Sequence, residues 1–336
     1  MAKKTYEDLI EEAGKREEQQ ELFESLFIEE VNWSHTLEVF DALPKFNYQK
    51  KIRLKETEII ERKCQHRGRD YLITLKPAVV SVERKALFVF PGKREEMVLF
   101  ALRYLAGQNL VKSELTQTKS GKKVITLNFT IYQLRKELTR MNHGYKVSEL
   151  NEALEVLRGA ELSIVSGEYK FSESMIFSVG EREDLRGSRQ ISFHPLASQA
   201  ILSGATRLIR YDKFMSLKHP LSRWLYMRFC HLITNAQQTT PLRKGIGLKF
   251  TYTEVFEQSG VQPRSRKRDN LKLIRQALDE LKETGIAQND DMGEAWTEDL
   301  GREEWAVYPS NQTVSDIIKA TKLTTTRPQD NLTLED

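Results

Sequence analysis

The sequence predicts an α+β protein built from two tandem units of one plan, preceded by a mobile arm. Three observations predict it: a segment that recurs at a fixed offset, helix start and stop signals, and alternating apolar patterns between the helices. "FTIYQLRKELTRMNHGYKVSELNEALEVL" begins at Phe129, and "FTYTEVFEQSGVQPRSRKRDNLKLIRQAL" begins at Phe250. At an offset of 121 residues, Phe129 and Thr130 match Phe250 and Thr251, and Leu134 matches Val255. Leu150, Ala153 and Leu157 likewise match Leu271, Ile274 and Leu278. Each copy reads as a short strand, a helix, a tight polar turn and a second amphipathic helix, with a β-hairpin pattern after it. That order is a winged helix, a helix-turn-helix with a two-stranded flap, and a repeated unit sets the fold more firmly than any one residue.

Taken in order, residues 1–40 read as an acidic arm, helical or partly disordered, with apolar islands at Tyr6–Ile10 and Leu22–Ile28. Residues 41–195 read as the first winged-helix domain. Its lead-in is strand-like: "KIRLKETEIIERK" and "DYLITL" flank the turn "HRGRD", and "VVSVERKALFVF" follows. "PGKREEMVLFALRYLAGQ" opens on Pro-Gly, carries acids in its first turn and closes at Gly107, which predicts the first helix of the unit. After the repeated pair of helices, "ELSIVSGEYKFSESMIFSVG" alternates about a Ser-Gly turn and predicts a wing. "ISFHPLASQAILSGATRLIRYDKFMSLKH" connects to the second domain, residues 196–310. There Leu221, Leu225, Phe229 and Leu232 form one apolar stripe, and "WAVYP" supplies a wing strand. Residues 311–336, rich in Thr, Asn and Gln, read as a mobile tail.

The 336 residues suit about two domains. No run of about 18 uncharged apolar residues exists, and the opening segment lacks the apolar core and cleavage site of a signal peptide. Cys64 and Cys230 are far apart and outside metal spacing, which reads as reduced cytoplasmic thiols. The net charge of +4 conceals an asymmetry. Residues 1–40 hold four basic and eleven acidic residues, leaving 48 basic and 37 acidic residues in the body. A basic body suits a nucleic-acid partner, because Lys and Arg displace counterions from phosphates.

The last helix of the second copy runs from about Lys267 to Lys282. Leu271, Ile274, Leu278 and Leu281 fall on one face, and Arg268, Lys272 and Arg275 on an adjoining one. The turn before it adds Arg264, Arg266 and Lys267 at the helix N-terminus, the end that enters a major groove and can offer Arg to guanine. The first copy differs. Its corresponding helix presents Ser148, Glu149, Asn151, Glu152, Glu155 and Arg158, a mostly acidic set. Its cations stand earlier, at Arg135, Lys136, Arg140 and Lys146, where they could hold DNA backbone or leave the unit as a protein–protein module. The second wing carries Asp290, Asp291, Glu294, Glu298, Asp299, Glu303 and Glu304, an acidic loop.

On these residues the chain resembles the iteron-binding plasmid replication initiators of the TrfA and RepA type. The similarity is densest through "YDKFMSLKHPLSRWLYMRFCHLI", "LKFTYTEVFEQSG" and "NLKLIRQALDELKETGIAQND", and it extends over about residues 85 to 308. The resemblance implies binding to repeated origin sequences in double-stranded DNA and opening of an adjacent A·T-rich segment. It also implies exchange between dimer and monomer in a bacterial cytoplasm, and recruitment of host helicase, sliding clamp and chromosomal initiator. In the arm, Gln19, Leu22 and Phe23 have the form of a sliding-clamp ligand, with a second pair at Leu26 and Phe27. The same four apolar side chains would equally serve an amphipathic helix packed on the body.

No cofactor is expected. "SGKK" and "PGKR" lack the full phosphate-loop pattern, and His35, His66, His143, His194, His219 and His231 form no metal-type pair. His194 and His219 each precede proline and read as loop residues. The chain therefore reads as a non-enzymatic DNA-binding protein. The competing expectation is a tandem winged-helix transcriptional repressor with no part in replication.

Overall fold

The computed structural model describes residues 32–49, 58–66, 68–82, 85–118, 121–167, 169–181, 187–203, 206–232, 247–288 and 294–325. Trp33–Leu37 forms β1 and Glu38–Ala42 forms α1. Four strands, β2 (Ile60–His66), β3 (Arg69–Lys76), β4 (Ala78–Val82) and β5 (Lys85–Val89), precede α2 (Lys93–Gly107). β6 (Lys112–Gln117), β7 (Lys123–Thr130), α3 (Ile131–Arg140) and α4 (Val147–Gly159) come next. They lead to β8 (Glu161–Ser166), β9 (Tyr169–Ser174), β10 (Ile176–Glu181) and β11 (Ser188–Phe193). α5 (Pro195–Leu202), β12 (Thr206–Arg210) and α6 (Tyr211–Ser216) fill the connection, and α7 (Pro220–Leu232) follows. The chain continues through β13 (Leu248–Thr251), α8 (Tyr252–Ser259), α9 (Lys267–Glu283), β14 (Trp296–Asp299), β15 (Glu304–Val307) and α10 (Asn311–Thr325). The architecture is α+β, with small antiparallel sheets among the described residues. None of the described helices is long and apolar enough to cross a membrane.

The repeated "Phe-Thr" pair has the same physical role in both copies. Phe129 and Phe250 are each 1% exposed, one at the end of β7 and the other in β13. Thr130 then caps α3, accepting from the Gln133 amide at 3.2 Å while Gln133 Oε1 accepts from the Thr130 amide at 2.8 Å. Thr251 caps α8 in the same way, with Glu254 as its partner at 3.3 and 2.8 Å. A capping box satisfies helix amides that have no partner inside the helix, which fixes where each helix begins.

The two copies diverge in their sheets. In the second, β13, β15 and β14 form a three-stranded sheet, with Phe250 opposite Trp305 and Glu298 opposite the same residue. In the first, the expected wing does form a hairpin, β8 with β9. It is not a free flap, however, because β8 also pairs with β3, giving the order β2-β3-β8-β9. The reason is apolar: Tyr71, Ile73, Leu75, Leu162 and Ile164 are all buried and need a common core. β10, expected to continue the wing, instead joins β11, β7 and β6.

Two expected termini are corrected. Residues 33–40, expected in the arm, are built into the body: β1 pairs with β12, and Trp33, Leu37 and Phe40 are buried. Residues 311–325, expected as mobile tail, form α10. Ser310 Oγ accepts from the Thr313 amide at 3.2 Å, and Val314, Ile317 and Ala320 recur every three residues on the buried face. Asp316 adds an ion pair to Lys213 at 3.0 Å. Residues 326–336 lie outside the described residues.

The core is continuous across residue 195. One hydrophobic cluster joins α2, α3 and α4 to α7, α8 and α9. Buried Glu96 of α2 meets buried Arg223 of α7 at 2.8 Å. Arg62 reaches from β2 to the carbonyls of Phe46 at 2.8 Å and Gly260 at 3.2 Å. Gly260 ends α8 at φ +78, and a Cβ there would stand 2.8 Å from the Phe46 carbonyl, so both conformation and space demand glycine.

Candidate nucleic-acid interface

α9 is amphipathic in the expected sense. Ile274, Leu278 and Leu281 are buried, and Ser222 of α7 donates to the Ala277 carbonyl at 3.0 Å, docking the two helices. Glu280 accepts from the backbone amides of Lys218 and His219 at 2.7 and 3.0 Å, which caps the start of α7. The opposite face of α9 is exposed. Ahead of it, the turn bearing Arg264 and Arg266 is clamped by Asn270, which is 2% exposed. Asn270 Oδ1 accepts from the Arg264 amide at 2.6 Å. Its Nδ2 donates to the Arg264 carbonyl at 2.9 Å and to the Tyr252 hydroxyl at 2.7 Å.

The six cations expected to read DNA in the second copy separate into two groups. Arg264, Arg266, Arg268 and Lys272 are exposed, and among the described residues no carboxylate pairs with their side chains. Lys267 pairs with Glu303, and Arg275 places Nε and Nη2 on Glu298 Oε2 at 3.1 and 2.8 Å. With Trp296 Nε1 donating to Asp279 at 3.2 Å, these contacts lay the β14–β15 hairpin along one flank of α9. The hairpin tip exposes Leu300 and Arg302, and Arg302 lies 3.6 Å from Asp299.

In the first copy the corresponding helix is packed on two sides. One side of α4 joins the main core through Leu150, Ala153, Leu154 and Leu157. Another side packs Val156 and the following Ala160 against Ala78, Val80 and Val89 of the β4–β5 hairpin. Gly159 is so close to β4 that a Cβ would lie 3.0 Å from that of Ala78. Of the acidic set, Glu152 pairs with Arg94 at 3.0 Å and Glu149 caps the Lys146 amide at 2.7 Å. The side left to solvent carries Ser148, Glu155 and Arg158, and Glu155 pairs with Arg158 at 2.5 Å, so this face offers DNA no net positive charge.

The cations of the first copy sit on α3 and at the start of α4. Arg135 and Lys136 are exposed on one face with Tyr132, which is 73% exposed. Arg140 is also exposed, but it is bonded to Glu137 at 2.8 Å and lies over the Tyr104 ring at 5.4 Å. Lys146 is exposed. Tyr132 and Arg302 were passed over in the sequence. For Tyr132 the signal was present, since it stands three and four residues before Arg135 and Lys136. Gln19, Leu22, Phe23, Leu26 and Phe27 lie outside the described residues.

His194, expected as a loop residue, is fully buried before α5, its ring 5.5 Å from that of Phe40. Burial, aided by the Lys122 charge, pushes its pKa down to about 4. Burial pushes the thiols of Cys64 and Cys230 up to about 12, so neither is a nucleophile at neutral pH.

No family model and no curated protein matches the chain. Among solved structures it is similar to RctB domains 2-3, at 8% identity and a TM-score of 0.43, over 81% of this chain and 98% of that one. A selenomethionine derivative of domains 2 and 3 of RctB matches at 11% identity and a TM-score of 0.44, over 77% and 94% of the two chains.

Proposed function

We propose that this chain is a plasmid DNA replication initiator whose second winged helix, residues 196–310, binds repeated origin sequences in double-stranded DNA. The observation that carries the reading is the row of exposed cations at the N-terminal end of α9, Arg264, Arg266, Arg268 and Lys272, with which no carboxylate pairs among the described residues. A helix end presenting free guanidinium groups fits base edges and flanking phosphates in a major groove. The sequence resemblance described above supports the same reading. In the first winged helix, residues 41–195, Arg135, Lys136 and Lys146 hold backbone phosphates and α4, packed on two sides and without net positive charge on its exposed side, stays out of the groove. That unit also carries self-association, and the arm recruits host clamp, helicase and chromosomal initiator. The protein opens the adjacent A·T-rich DNA without catalysis or cofactor, in the bacterial cytoplasm.

One observation favours a transcriptional repressor instead. A cavity of about 170 Å³ lies between the two copies, lined by Phe46, Tyr48, Phe100, Trp224, Arg228 and His231, and a small effector there would touch both. Footprinting on DNA flanking the protein's own gene decides between them. An initiator protects several direct repeats beside an A·T-rich stretch, whereas a repressor protects a single promoter-overlapping site.

A further inference from the structure

We infer that Glu298 is a specificity-determining residue, a fixed carboxylate that turns Arg275 from a phosphate anchor into a reader of base edges. This rests on the proposed placement of α9 in a DNA groove. Glu298 is held from behind: Trp305, fully buried, donates its indole N–H to Oε1 at 3.0 Å. The other oxygen takes both Nε and Nη2 of Arg275, at 3.1 and 2.8 Å. The guanidinium is therefore oriented by a rigid chain from the core through β14 to α9. Its Nη1 edge makes no bond among the described residues and is left for a partner beyond the protein. The side chain of Arg275 is 41% exposed, against 14% for Glu298, so the arginine is the member of the pair that meets solvent.

The pair has a selective consequence. Random-sequence DNA is held by charge alone, and an arginine neutralised by its own carboxylate adds almost nothing to that attraction. A base edge is recognised by hydrogen bonds at fixed geometry, and an arginine already oriented loses less freedom on making them. Neutralising Arg275 thus lowers non-specific binding while preserving the specific contact, and discrimination rests on that difference. Lys267 and Glu303 repeat the neutralisation at the helix start, without the buried support.

The test uses the full chain, a duplex selected by the wild-type protein from a randomised pool, and a random-sequence duplex of equal length. Glu298→Gln keeps an acceptor for Trp305 and removes the charge. It should strengthen random-duplex binding about 3-fold or more and raise its salt slope by about 0.9, the increment for one newly available cation. Affinity for the selected duplex should fall by about 5-fold or more. In an Arg275→Ala background the same change should leave the ratio of the two affinities where Arg275→Ala alone puts it. Equal weakening of both duplexes, or an unchanged ratio, overturns the assignment. If Arg268→Ala and Lys272→Ala together also leave both duplexes unaffected, the placement of α9 in DNA falls and this inference with it. If that double variant does weaken binding, only the role of Glu298 is lost.

Discussion

Arg268 and Lys272 stand one helical turn apart on the exposed face of α9, and no carboxylate pairs with them among the described residues. Replacing Arg268 by Ala should cost about 1–3 kcal/mol on the specific site if it takes a base edge. Lys272→Ala should weaken all sequences alike and lower the salt slope by about one. Fluorescence-anisotropy titrations on specific and random duplexes at several salt concentrations separate the two effects. A second residue-scale expectation concerns stability. His194 is neutral in the fold because burial, with Lys122 nearby, depresses its pKa from 6.5 to about 4. As pH falls, the unfolded chain takes up this proton first. The contribution of His194 is therefore full above about pH 6.5, drains away between about pH 6.5 and 4, and is constant below. The loss amounts to about 3 kcal/mol. Thermal unfolding of wild type and His194→Gln across that window should show a shallower pH dependence in the variant.

At the scale of elements, the basic turn and α9 act as one piece because Asn270 bonds both to the turn backbone and to Tyr252 at the start of α8. Asn270→Ala should loosen Arg264 and Arg266 and weaken DNA binding about 5-fold or more. It should have little further effect in an Arg264→Ala/Arg266→Ala background, as a double-mutant cycle would record. The helices of both copies were legible in the sequence because their signals are local. A core Phe followed by a Thr cap and its Gln or Glu partner spans only five residues. β1 was not legible, since Ser34, His35 and Thr36 are polar and fully buried. Their partners are remote: His35 meets Thr206 at 3.2 Å and Thr36 meets His231 at 2.6 Å. α10 was obscured by polar composition, although its three-residue apolar spacing was there to read. In the candidate site, the cationic row could be read from helical periodicity. The neutralisation of Arg275 could not, because it depends on how β14 lies against α9. The second packed side of α4 was equally hidden, being a matter of where the β4–β5 hairpin folds back.

Across the whole molecule, the copies share a core, and the Glu96–Arg223 pair sits inside it at 1–8% side-chain exposure. Removing one member strands the other in a low-dielectric setting, so Glu96→Ala should cost about 3–5 kcal/mol. Because the core is continuous, denaturation of that variant should remain a single transition rather than splitting into two. Two transitions by calorimetry would show that the copies unfold independently. A further consequence follows from where the described chain starts and stops. Trp33 at the beginning of β1, Leu208 of β12 and Ala320 near the end of α10 form one small cluster of their own. A stretching force applied between the ends of the described chain should therefore load this cluster and the β1–β12 ladder first. β1 and α10 should peel from β12 at lower tension than α8 and α9, which are held in the main core. Force spectroscopy with handles at residues 32 and 325 should record that release as an early, low-force step.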